Sequence, residues 1–124
     1  MNKEEIAKLY KKYDLTESDV FKHQHYLIIT RAGIDKIQAK ADINISYELI
    51  HNSNDNKCVI IKATAEMDGD IIETFGESSP ENTVNKYPVA MAEKRAMSRA
   101  VLKLTGFYAV GAMGQDESDD FKQQ

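Results

Sequence analysis

The stretch 43–76 constrains the fold most. "INISYELIH" (43–51) alternates apolar and polar residues, with Ile43, Ile45, Tyr47 and Leu49 on one face. "SNDN" (53–56) then brings four residues whose side chains favour loops. "KCVIIKATAEM" (57–67) resumes the strand pattern, Asp68-Gly69 gives a two-residue hairpin signal, and "DIIETFG" (70–76) pairs back. Strands joined this tightly run antiparallel. A three-stranded meander needs a cover for its apolar face.

The cover comes next in the chain. Pro88 suits the first turn of a helix, and Gly106 suits its end. At about 100° per residue, Val89, Ala92, Ala96, Ala100 and Leu104 share one face, with Met97 and Val101 beside them. Small residues there let the helix lie close to a sheet. Glu93 is expected to project into this apolar stripe, where a carboxylate needs a partner.

The first part of the chain reads as a short helix over 3–13, a polar connection, a strand over 26–30, and a helix over 31–41 capped by Thr30. Gly33 weakens the first turn of that helix. Ser79 to Asn82 reads as a single capped helical turn. Tyr26, Tyr47, Phe107 and Tyr108 read as core or interface residues. The expectation is therefore one α+β domain over 1–115. It holds a three-stranded meander, one further strand and a long C-terminal helix, in a β-β-β-α core. Residues 116–124 lack apolar spacing and read as a disordered acidic tail.

With 124 residues and 42% of them hydrophobic, the chain has material for a single core. Apolar runs such as Leu27–Ile29 and Cys58–Ile61 fall far short of the ~20 residues that span a bilayer. The N-terminal "MNKEEIAKLYKKY" lacks the apolar core of a signal peptide. One cysteine, Cys58, excludes an internal disulfide and a cysteine-based zinc site. The expected location is cytoplasmic, nucleoid included, with no membrane partner.

The net charge of −4 hides a segregation. Four acidic residues lie within 116–120, and without the tail 16 acidic and 15 basic residues remain. Within 86–103 there are Lys86, Lys94, Arg95, Arg99 and Lys103 against Glu93 alone. Arg95, Arg99 and Lys103 are successive i+4 neighbours, so they form one basic helix edge, with Lys94 on the other side of the exposed surface. Arginine's planar fork suits phosphates. The other reading of the edge is a solvated surface, or a contact with a neighbouring subunit.

The segment "GESSPENTVNKYPVAMAEKRAMSRAVLKLTGFYAVGAMGQDE" resembles the end of the core of single-strand annealing recombination proteins. These are the Erf/Redβ-type phage recombinases and the eukaryotic strand-annealing recombination mediator. The resemblance covers roughly 26–115 and rests on the element order and on Ala92, Lys94, Arg95, Ala96, Leu104 and Gly106. It implies a homo-oligomer, ring or filament, of a phage or mobile element. Single-stranded DNA would lie in a positive groove between the sheet and the long helix, without nucleotide hydrolysis. By carry-over, Lys94, Arg95 and Arg99 are the leading DNA contacts, with Lys103 on the same edge. Lys57, Lys62, Arg31, Lys36 and Lys40 follow from charge alone. Tyr87 and Phe75 are candidates to stack on bases.

No cofactor and no enzymatic activity are expected, since the chain carries no phosphate-binding GxxxxGK[ST] loop, no G-x-S-x-G and no H-E-x-x-H. His23 and His25 could bind a metal at alternate spacing but read better as loop histidines, and His51 has no evident partner. Asp68, Asp70 and Glu73 raise the reading of a small metal-dependent nuclease, although the turn itself accounts for Asp68. Cys58 reads as a small core residue. The acidic tail serves solubility, competes with DNA for the basic residues, or docks a host partner. The alternative to DNA annealing is a non-catalytic interaction or oligomerisation domain whose basic helix edge meets a neighbouring subunit.

Overall fold

The computed structural model describes residues 3–81, 86–118, 120 and 121. In chain order the elements are α1 (Lys3–Lys12), β1 (Val20–His23), β2 (Tyr26–Ile29), α2 (Arg31–Ala41), β3 (Asn44–Asn52), β4 (Val59–Met67), β5 (Asp70–Ser78), α3 (Pro88–Thr105) and β6 (Ala112–Gly114). Single 3-10 turns cover Tyr108–Val110 and Gln115–Glu117. The fold is α+β, with two three-stranded sheets, and α3 packs against the strands.

β3, β4 and β5 form the expected antiparallel meander. Asp68 (φ 51°) and Gly69 (φ 89°) make the left-handed turn between β4 and β5, a conformation that Gly takes at no steric cost. The anticipated further strand, β2, belongs to a second sheet with order β1-β2-β6, in which β1 is antiparallel and β6 parallel to β2. β1 falls inside the segment read as a polar connection, so one extra strand becomes three. The turn expected at Ser79–Asn82 runs into residues outside the described set.

α2 starts where its cap predicts: Thr30 Oγ1 accepts from Gly33 N–H at 3.1 Å. Gly33 is there for space. A Cβ at this position would sit 2.8 Å from Ile29 Cγ2 and 2.9 Å from Asp19 O. A side chain would push α2 off the β1–β2 hairpin.

α3 lies across β4 and β5, where Val59, Ile61 and Ala63 meet Ala92 and Ala96. The approach is close enough that a Cβ on Gly76 would fall 2.0 Å from Ala92 O. Thr74 Oγ1 donates to Ala96 O at 2.7 Å and ties strand to helix. The helix covers β3 only in part, packing on Ile45. Ile43 is buried and Ile45 half-buried, but Tyr47 and Leu49 of the same face are 42% and 56% exposed. Val89 and Glu93, expected on the buried stripe of α3, are exposed. A second stripe of α3, Met91, Arg95, Ser98, Leu102 and Thr105, is buried instead. Along it β6 comes close: a Cβ on Gly114 would meet Ser98 Cβ at 3.0 Å.

The acidic segment is not a solvated tail over its described residues. Gln115–Glu117 form a turn against α3, and Phe121 is buried, its ring 5.2 Å from that of His23. Gln115 Nε2 donates to Phe121 O at 3.4 Å. The expectation of disorder from 116 onward is corrected to that extent. Among the described residues, no helix is long and apolar enough to cross a membrane.

Candidate nucleic-acid interface

The basic edge drawn from the sequence divides in space. Arg95 is 1% exposed. Its Nε donates to Asp116 O at 2.7 Å and its Nη1 to Glu77 O at 2.9 Å. It belongs to the interior, between β5 and the C-terminal turn, and is not part of an exposed edge. Two backbone carbonyls make burial of this cation tolerable, since a buried charge without such acceptors is costly.

Arg99 is also engaged. Its Nε and Nη2 donate to the two carboxylate oxygens of Glu117 at 2.7 and 2.6 Å. Its Nη1 and Nη2 donate to those of Glu77 at 2.8 and 3.0 Å. Its Nη1 also donates to Phe75 O at 2.6 Å. A guanidinium has five N–H donors, and here five acceptors surround it. The hydrogen bonds that Arg99 donates to Glu117 and Glu77 raise its pKa further, and Arg99 in turn holds the Glu77 carboxyl below its ordinary value. Neither arginine presents free donors to a phosphate in this arrangement.

The remaining candidates spread over the surface. Lys62 lies on the sheet face opposite α3, between Glu73 (3.1 Å) and Glu48 (3.5 Å), and these partners raise its pKa. Phe75 is the register neighbour of Lys62, so it also faces away from α3. Lys36 pairs with Asp19 at 2.6 Å, and Lys40 pairs with Asp14. Arg31 bridges Asp35 and Asp116 at 3.5 and 3.6 Å. Lys103 is exposed, with its ammonium 5.5 Å from the Tyr108 ring centre. Lys94 is half-buried and makes no ion pair among the described residues. His23 and His25 pack against aromatic rings. Among the described residues no three His, Cys, Asp or Glu gather closely enough to hold a metal ion.

What the structure does bring together lies at the start of α3. Tyr87 precedes the helix without a side-chain cap, and the first turn carries Pro88 and no acidic residue. The first N–H groups of a helix have no acceptor within it, and with the helix dipole they leave a partial positive charge. Lys57, from the β3–β4 loop, and Lys86 flank this end, and Tyr87 is 70% exposed. With Val89 and Ala90 they line an open groove of about 980 Å³. Two carboxylates also border it. Asp55 is engaged in its own loop, accepting from Ser53 Oγ at 2.7 Å and Lys57 N–H at 3.0 Å. Glu93 lies near Tyr47, whose hydroxyl pKa is raised by burial and by that charge.

Lys57 and Tyr87 were readable as candidates from charge and aromaticity. Lys86 was counted in the basic excess but not singled out. The signal for it was its place just before Pro88 at the helix start. No family model, curated protein or solved structure matches this chain.

Proposed function

We propose that this protein binds single-stranded DNA without catalysing a reaction on it, in the service of strand annealing during recombination or repair. The observation that supports the reading is the convergence of Lys57, Lys86 and exposed Tyr87 on the N-terminal end of α3. Helix N-termini and lysines are suited to phosphates, and an exposed tyrosine offers a base a stacking surface. Such contacts hold a strand without reading its sequence. This moves the proposed contact away from Arg95 and Arg99, whose partners lie within the chain. The competing reading, an assembly domain using that same basic edge, loses support for the same reason.

Fluorescence anisotropy of a labelled oligo-dT strand at several salt concentrations tests the proposal. Two phosphate contacts correspond to a log–log salt slope of about −1.4, at about −0.7 per phosphate on single strands. Absence of binding at low salt would contradict the reading.

A further inference from the structure

The β3-β4-β5 sheet has two outer strands, and the chain treats them differently. Along β5, Arg99 and Arg95 take the carbonyls of Phe75 and Glu77 at 2.6 and 2.9 Å, and Glu117 closes over Arg99. Among the described residues, no strand pairs with the outer edge of β3. From Asn44 to Leu49 that edge also lacks the usual guards, its one irregularity falling between Leu49 and His51. Asn44–Asn52 holds no Pro and no Lys, and Glu48 is its one acidic residue. Tyr47, Leu49 and Ile50 are 42%, 56% and 46% exposed. An unguarded, apolar edge strand is a template for another strand.

We propose that β3 is a self-association surface, on which two copies pair β3 against β3, antiparallel across a two-fold axis. Self-complementarity argues for a second copy as occupant. A register that sets Tyr47 opposite Tyr47 of the other copy places Leu49 beside Ile45 and Glu48 beside Ser46. Apolar residues then meet apolar ones, and the two Glu48 carboxylates stay apart. Centring one residue later would set like charges opposite each other. The irregularity between Leu49 and His51 ends the ladder. Head-to-tail growth from β3 onto β5 is closed while Arg95 and Arg99 hold the β5 carbonyls, so the contact is isologous and stops at two. A ring or filament would need a second surface. This inference does not rest on nucleic-acid binding.

Sedimentation equilibrium of the full chain without nucleic acid, over the micromolar range, tests it. The expected result is a reversible monomer–dimer equilibrium. Leu49→Lys/Ile50→Lys should weaken it about tenfold or more with the circular dichroism spectrum unchanged. Ile71→Lys, at an exposed position on β5, should leave it intact. In a Cys58→Ser background, Tyr47→Cys should form an intermolecular disulfide on mild oxidation, because facing Cα atoms in such a pair lie within disulfide reach. That cross-link decides the matter if the double-lysine variant fails to fold. A wild type that stays monomeric, an oligomer unmoved by the lysines, or no cross-link would overturn the proposal.

Discussion

Arg99 has two acidic neighbours and no spare donor, so its role in the free chain is to hold elements together. It joins β5, α3 and the C-terminal turn through Phe75, Glu77 and Glu117. Removing the guanidinium would leave Glu77 and Glu117 facing each other. Arg99→Ala should cost about 2–3 kcal/mol, read by urea denaturation. A cost within about 0.5 kcal/mol, the range of ordinary surface changes, would count against the network. The acid response follows from the same residues. Arg99 lowers the Glu77 pKa. At Asp19 burial works in the opposite direction, but Lys36 and Thr16 outweigh it and the pKa is again lowered. A depressed carboxylate adds stability above its unfolded value and loses it as pH falls through the folded one. Thermal midpoints should therefore hold steady near neutrality and fall below about pH 4. Glu77→Gln should be less stable at neutral pH and show a shallower acid decline. An unchanged decline would remove Glu77 from the account.

At the scale of elements, local signals carried far. Thr30 marked the start of α2, Pro88 and Gly106 bounded α3, and Asp68-Gly69 marked the turn into β5. β1 and β6 were not legible, because four and three residues are too few to show a period and both depend on β2. α3 was half-read. Its sheet-facing alanines were plain, but the helix is buried on a second side as well. Met91, Ser98, Leu102 and Thr105 formed that second stripe, and Arg95 lay within it. The i+4 spacing of Arg95, Arg99 and Lys103 makes an exposed edge only for a helix packed on one layer, and α3 is buried on two sides. The tightness of the sheet layer can be tested directly. Gly76→Ala places a Cβ against the backbone of α3 and should destabilise by about 1–3 kcal/mol, measured by thermal or urea unfolding. A neutral result would mean that α3 can retreat from β5.

For the whole molecule, segregation of charge along the chain proved different from segregation in space. Within 86–103, Arg99 is answered by Glu77 and Glu117, and Arg95 by the carbonyls of Glu77 and Asp116. These partners lie outside the helix in sequence, and no window across α3 could show them. Phe121, read as part of a polar tail, helps fix the C-terminal segment in place. The candidate site was accordingly legible in its residue types and not in its position. The most direct measurement compares oligo-dT anisotropy for wild type, Lys57→Glu/Lys86→Glu and Lys62→Glu at matched low salt. The account predicts that reversing Lys57 and Lys86 abolishes binding, while reversing Lys62 on the opposite sheet face changes it little. Binding that survives the double reversal and falls with Lys62→Glu would contradict it and move the nucleic acid to the other side of the sheet.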